Sequence, residues 1–418
     1  MNRLFFIAIF KEKSEGLRMN GKDKIIKRLD RNIKLDYIYT LISNLNMQSS
    51  IWVLYLGYCD MNLMQIGVLE GIYHVTSIIC EVPSGAMADL LGRRKSMIIS
   101  RILIALSCII MLFSKSFWLF ACSFITQAMG NNFNSGSEEA FVYDSMKLLG
   151  KEQDYMRFNG RLNVIIEISQ AIATVAGGVL AEFSYVWCYS ACVMIALLTL
   201  MPLLFMVEPP ILHKNEGKAK ESGKEKRILQ HFKMSVHILQ SNKKILNIVG
   251  YYSAILAAYT LLFFYSQQYF ANLGLNKIEI SFIMLLAGGA SCLGALSSEM
   301  MYQLLETKLV KLSAGIIAVS MVAYGFDILF IAVVSFIVAS YFSSMLYPVQ
   351  SASLNKLIPS SQRATLISVN SMFFSITMLI FFPIAGGVAD NFGLVKVFMG
   401  LGILILAIVG LTVKIRLK

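Results

Sequence analysis

The chain has 418 residues, 56% of them hydrophobic and 15% charged, with a formal net charge of +12. A soluble domain carries about 25% charged residues, so this balance excludes an ordinary soluble protein and places most of the sequence in a bilayer. The basic residues are spread over many loops, not gathered into one compact domain, which excludes a nucleic-acid binder.

A helix that crosses a bilayer needs about 20 predominantly apolar residues. Twelve such runs are predicted in chain order, at 37–58, 64–88, 96–114, 117–145, 158–182, 184–207, 245–270, 278–302, 308–326, 328–355, 363–388 and 393–414. The fold class is therefore an all-α integral membrane protein. Four regions follow: a cytoplasmic N-terminal segment (1–36), a first six-helix bundle (37–207), a cytoplasmic linker (208–243), and a second six-helix bundle with a short tail (244–418).

Residues 1–36 hold ten Lys and Arg. The apolar stretch Leu4–Phe10 is too short to span and lacks a small-residue cleavage site, so it is not read as a signal peptide. Met19-Asn20 repeats the opening Met1-Asn2, which makes Met19 an alternative start. With the N-terminus in the cytoplasm, nearly all loop Lys and Arg fall inside, and only Lys115, Lys277 and Lys396 fall outside. That asymmetry fixes both termini as cytoplasmic.

Span one offers Thr40, Asn44 and Gln48 along one face. In span two, Glu70, His74, Ser77 and Glu81 recur at helical spacing. Glu70 and His74 are candidates to share a proton, because an acid and a neighbouring imidazole tune each other.

Residues 85–95 then read Gly-Ala-Met-Ala-Asp-Leu-Leu-Gly-Arg-Arg-Lys. Asp89 sits at interfacial depth, where a carboxylate needs a cation or a helix N-terminus. The first turn of span eleven is one candidate partner. Arg93 and Arg94 need anions in turn, and Asp144 ends span four on the same side. Gly85 is expected to let a neighbouring backbone approach. The segment resembles the loop between spans two and three of the major facilitator superfamily, where the pattern is G-x-L-A-D-x-x-G-R-[RK]. The resemblance implies two six-helix bundles, alternating access, and a latch between the halves made by Gly85, Asp89, Gly92, Arg93 or Arg94, with Asp144 as partner. Glu81–Gly85 and Ser137–Ser145 are also similar to segments of bacterial efflux-type members, which implies export.

The same resemblance implies a central cavity lined by spans one, four, seven and ten. Its candidates are Asn44 and Gln48 in span one, and Gln127, Asn131 and Asn134 in span four. Tyr259 and Gln267 in span seven and Tyr347 and Gln350 in span ten complete the set. Glu138 shares the span-four face. Span five places Glu167, Gln170 and Thr174 together, with Glu167 near mid-membrane and Arg161 a possible partner. Intramembrane carboxylates are functional candidates by default, so Glu167, Glu138, Glu70 and His74 are the proton-coupling candidates. No Lys or Arg is expected near mid-span, which argues against a strongly anionic substrate.

Ala176-Gly177-Gly178-Val179 in span five recurs as Ala385-Gly386-Gly387-Val388 in span eleven, in keeping with two parallel repeats. Drug–proton antiporters of the superfamily often carry Gly-Pro-x-x-Gly-Gly in span five. Here 173–178 keeps the glycine pair and lacks Gly-Pro, while span eleven carries Pro383. The linker opens with Pro209-Pro210, is lysine-rich, and is amphipathic near 228–239.

Seven cysteines are scattered without a C-x-x-C, and His231 and His237 are six apart, so no metal site is expected. The chain has no phosphate-binding glycine loop and no nucleophile elbow. The reading is a proton-coupled secondary transporter of a bacterial plasma membrane, without cofactor, enzymatic activity or nucleic-acid partner. It is expected to be monomeric and to export a small hydrophobic or cationic compound. The alternatives are proton-coupled uptake of a small polar nutrient, and a non-transporting sensor or interaction protein on the same scaffold.

Overall fold

The computed structural model describes residues 25–210, 243–306, 308–357 and 363–411. Their regular structure is entirely helical. In chain order the helices are α1 (25–43), α2 (Trp52–Tyr58), α3 (Leu63–Leu91), α4 (Arg93–Phe113), α5 (Phe117–Asn134), α6 (Ser137–Leu148), α7 (Tyr155–Phe183), α8 (Tyr185–Leu198) and α9 (Leu200–Phe205). After the linker come α10 (Lys243–Asn272), α11 (Lys277–Leu305), α12 (Lys308–Ala323), α13 (Leu329–Leu357), α14 (Arg363–Phe392) and α15 (Leu394–Leu411). Among the described residues nine helical segments are long and apolar enough to cross a membrane, and Leu394–Gly410 is a shorter apolar one. The amphipathic stretch expected near 228–239 and the two candidate start sites lie outside the described residues.

Three expected spans are not single helices. Span one stops at Ser43 and resumes at Trp52. Span four is split at Ser135-Gly136. Span six changes course at Thr199, just ahead of Pro202, which has no N–H to bond back to Leu198. The first break follows from the run Ser43-Asn44-Leu45-Asn46-Met47-Gln48-Ser49-Ser50, whose short polar side chains compete with the helix for backbone groups. Ser43 Oγ and Asn44 Nδ2 both donate to the Thr40 carbonyl, at 3.3 and 2.8 Å. At the second break Gly136 has φ +70°, a conformation that glycine adopts without penalty.

One end of the molecule carries the 85–95 turn and the start of α1; it is called the motif end below, and the opposite one the far end. The N-terminal helices (25–205) and C-terminal helices (243–411) are joined most tightly at the far end, and the joint is built twice. Asp390, near the end of α14, accepts from the backbone N–H groups of Leu63 and Met64 at the start of α3, both at 2.9 Å. Glu182, near the end of α7, accepts from the Lys277 backbone N–H at the start of α11 at 2.9 Å and pairs with Lys277 Nζ at 3.6 Å. Each carboxylate thus sits on the positive end of a helix from the other half. The repeated glycine pairs make both approaches possible. A Cβ on Gly178 would meet Ser281, and one on Gly386 would meet the Leu63 carbonyl. Where no water drives helices together, such small-residue contacts carry the packing.

The hydrogen bonds that continue the seam inward are Gln267 Nε2 to the Ser49 carbonyl at 3.2 Å, Tyr265 Oη to the Leu63 carbonyl at 3.1 Å, and His74 Nδ1 with Ser375 Oγ at 3.1 Å. Toward the motif end fewer contacts between the halves are found among the described residues. Gly67 and Gly71 of α3 lie against Phe382 and Leu379 of α14, yet a Cβ on Gly85 of the same α3 would meet no described atom within 4 Å. The close approach expected at Gly85 is not found among the described residues.

If the glycine contacts hold the far end, Gly386→Val must disturb it and Gly288→Val, where nothing lies within 4 Å, must not. The melting midpoint of the purified protein is expected to fall for Gly386→Val and to stay near wild type for Gly288→Val. Equal midpoints would contradict the account.

Candidate functional site: a polar cavity at two helix breaks

Both breaks open onto one cavity of about 490 Å³, lined by residues of α1, α4, α5, α6, α7, α8 and the 44–50 segment. Irregular backbone at membrane depth is tolerated where it lines a cavity and finds partners there. Asn44, Gln48, Gln127, Asn131, Asn134 and Glu138, candidates from spans one and four, all line it, and every lining residue belongs to the N-terminal half. Gln127, Asn131 and Asn134 keep helical spacing on α5, whereas Asn44 and Gln48 lie in the first break and Glu138 follows the second.

The C-terminal candidates behave differently. Gln267 is fully buried and bonded to Ser49. Tyr259 donates to Ser340 Oγ at 2.9 Å. Gln350 donates to Asn370 Oδ1 at 2.7 Å, and Tyr347 is 65% exposed. None of the four lines this cavity. Tyr259, Gln267 and Gln350 each bond a neighbouring element, although Gln267 Oε1 is buried without a partner, and Tyr347 points away from the interior.

A hydrogen-bonded chain crosses the cavity wall. Arg101 Nε donates to Tyr39 Oη at 2.8 Å, and its guanidinium lies 5.1 Å from the centre of the same ring. The Tyr39 hydroxyl donates to Asn134 Oδ1. Asn134 Nδ2 donates to Glu138 Oε2 at 2.6 Å, and Thr40 Oγ1 donates to Glu138 Oε1 at 3.0 Å. Both carboxylate oxygens of Glu138 are thereby engaged. Glu138 and Glu139 also occupy the first turn of α6, where the helix dipole favours negative charge. Asp36 lies in the same wall, fully buried.

Two of these residues correct the sequence reading. Arg101 is a buried cation two turns into α4, about 12 Å beyond its start at 1.5 Å per residue. No Lys or Arg is expected near mid-span; Arg101 lies five residues into the expected span 96–114 and brings a cation into the cavity wall. It is not singled out as a candidate from the sequence. Asp36 fell on the last position of the expected N-terminal segment, but α1 runs through it without interruption.

A second cavity of about 240 Å³ adjoins the first and shares Asn46, Gln48, Gln127 and Asn131 with it. Glu70 and Trp52 line it. Glu70 Oε1 is 3.6 Å from His74 Nε2, so this expected pair is brought together at the contact between α3 and α14. Glu167 is exposed and accepts from Cys292 Sγ at 3.3 Å across the two halves. It does not contact Arg161, the partner considered for it. Arg161 lies six residues earlier on α7, which is 600° of rotation at 100° per residue and so points to another face.

The described side-chain contacts of the 85–95 turn lie within the N-terminal half. Arg93 Nε bonds Asp144 Oδ2 at 3.1 Å, as expected. Arg94 donates to the Leu203 and Leu204 carbonyls at 2.6 and 3.0 Å. Gly92, at φ +96°, ends α3 and starts α4. Glu208 caps α4 by accepting from the Arg93 and Arg94 backbone N–H groups at 2.7 and 2.9 Å. Asn32 exchanges two hydrogen bonds with Val207, at 2.7 and 2.9 Å. Nearby, Lys151 and then Lys34 hold the Asp30 carboxyl below the ordinary range, at 3.0 and 3.2 Å. Asp89 is exposed and has no described partner. The first turn of α14, its expected partner, has no described side chains.

A helical chain with many membrane-crossing segments and a polar, charged cavity at broken helices defines a membrane transporter. Comparison with known proteins gives the family. The Major Facilitator Superfamily model matches residues 38–326, and the chain belongs to that superfamily. It is therefore a multi-pass membrane protein of a transporter family, not an enzyme. It is similar to the uncharacterized MFS-type transporter YxaM of Bacillus subtilis (strain 168), with 27% identity over 369 residues, 86% of this chain and 89% of that protein. Among solved structures it resembles the nucleoside transporter NupG, at 16% identity and a TM-score of 0.70, covering 93% of this chain and 99% of that one. It also resembles a D-xylose–proton symporter, at 15% identity and a TM-score of 0.62, covering 93% and 96%. At these identities the two solved structures speak for the fold alone.

Arg101 gives the wall a direct test. A hydrogen bond to a charged group contributes about 1.5–3 kcal/mol. Arg101→Met is expected to lower the melting midpoint clearly below that of Arg157→Met, whose parent side chain is exposed. Matching midpoints would show that the chain from Arg101 to Glu138 does not hold the wall together.

Proposed function

We propose that the protein is a proton-coupled secondary transporter that works by alternating access in a bacterial plasma membrane, as a monomer with both termini in the cytoplasm. The observation that carries this reading is the cavity itself, which lies between two helix breaks toward the motif end. On the positive-inside orientation, the sealed far end is external and the motif end faces the cytoplasm. The state described is then inward-facing. The halves rock about the midplane, and the caps at Asp390 and Glu182 must release for the far end to open. The 85–95 turn latches the motif end in the opposite state, when Asp89 reaches the first turn of α14 and Arg93 with Asp144 keeps the turn in shape.

The cavity wall holds Asp36, Glu138, Glu139 and Arg101. Three carboxylates face one guanidinium that is already engaged with Tyr39, which favours a cationic or neutral substrate over an anionic one. Export of a small cationic compound is the leading reading. The cluster of Asn and Gln side chains in the same wall supports a second reading, uptake of a small polar nutrient, because amides match hydroxyl-rich ligands.

Counterflow and gradient-driven transport in proteoliposomes, with a panel of organic cations and of neutral polar solutes, test both. Export by antiport predicts that cations accumulate in vesicles whose lumen is more acidic than the medium, and uptake by symport predicts that polar solutes accumulate with the opposite gradient. Transport that ignores the proton gradient would overturn the coupling. Asp89→Asn is expected to slow turnover by favouring the state with the motif end open; unchanged turnover would remove the latch.

A further inference from the structure

Asp36 differs from the other carboxylates of the cavity. It is 0% exposed, and neither of its oxygens has a hydrogen-bond partner. Burying an ionised carboxylate without a partner is costly enough that such groups normally bind a proton or a counter-ion. The basic residue in the lining, Arg101, has its Nε on Tyr39 and its guanidinium over the same ring. Glu138 from α6, Tyr39 from its own helix and Tyr155 from α7 interact electrostatically with Asp36, and none of these three is a cation.

Glu138 is the opposite case. Thr40 and Asn134 each donate to one of its oxygens, and hydrogen bonds to the charged form favour that form. Two neighbouring carboxylates in a confined site do not both ionise freely, and of this pair only Glu138 has donors on its oxygens.

We propose that Asp36 is the proton-carrying member of a carboxylate pair whose fixed anion is Glu138. A hydronium ion entering from the open side gives its proton to an Asp36 carboxylate oxygen and leaves as water. In the other state the proton passes from Asp36 to water on the opposite side. No other reactant is needed.

The position of the pair gives the proton a mechanical consequence. Asp36 is eight residues before the break that ends α1 as a helix, and Glu138 is in the first turn after the Ser135-Gly136 break. Loading Asp36 removes the repulsion between two helix pieces that each end at a helix break. Unloading restores it. The inference rests on the transporter reading for its direction, but the proton site itself does not depend on knowing the substrate.

The test uses the proton as probe. The full chain is reconstituted in liposomes, and infrared difference spectra are recorded across a pH titration. The wild type is expected to show a protonated-carboxyl band that Asp36→Asn lacks. Glu138→Gln, which removes the neighbouring charge, is expected to keep that band and shift its titration to lower pH. Asp36→Glu is expected to restore a band, which controls for misfolding of the Asn variant. A full band in Asp36→Asn, or a titration unmoved in Glu138→Gln, would overturn the proposal. Absence of any transport by the wild type under either gradient sign would sink the transporter reading while leaving the infrared result to stand or fall separately.

Discussion

A carboxylate placed on the N-terminus of a helix from the other half joins the two halves of this structure. The interaction is used twice at the far end, by Asp390 on α3 and by Glu182 on α11. A helix N-terminus offers unsatisfied N–H groups and a partial positive charge, so one acidic residue can hold a whole helix without burying a full counter-charge. Such a joint contributes at most about 2 kcal/mol from the dipole in a partly buried setting. That is strong enough to favour one state and weak enough to release. Glu208 repeats the device on α4, but within one half.

The glycine pairs decide where this device can work. Gly178 and Gly386 bring α7 and α14 close enough for the acids that follow them to reach the neighbouring helix starts. The same sequence pattern, placed half a chain apart, therefore produces two joints related by the repeat. With the far end held in this way, the cavity and both breaks lie toward the motif end. The polar wall then has to be stable in the absence of a ligand. The chain from Arg101 through Tyr39 and Asn134 to Glu138 meets that need by satisfying a buried cation and a carboxylate through neutral groups.

Much of this was legible in the sequence. Hydropathy gave the helices, the 85–95 turn gave the family, and i, i+4 spacing gave the span-four wall. The Arg93–Asp144 pair followed from local charge balance. What the sequence hid has physical reasons. The breaks at 44–51 and 135–136 depend on local competition for backbone hydrogen bonds, which an average over a span does not register. Asp36 was assigned to the N-terminal segment and Arg101, inside the expected span 96–114, was not singled out, because burial of a charge depends on partners from distant parts of the chain. Tyr259, Gln267 and Gln350 share the spacing of cavity residues but are turned to tertiary partners. Asp390 and Glu182 looked like ordinary ends of spans. Only the contact of α3 with α14 and of α7 with α11 gives them a role.

The most direct measurement follows two distances at once. Spin labels at Asp60 and Lys396 report on the far end, and labels at Lys151 and Leu304 report on the motif end; all four sites are exposed. Pulsed dipolar spectroscopy on the wild type and on the Asp390→Asn, Glu182→Gln double variant compares them in the same membrane. If the caps hold the far end shut, the double variant shows a longer Asp60–Lys396 distance together with a shorter Lys151–Leu304 distance. If both distributions match the wild type, the caps do not join the halves and the account fails.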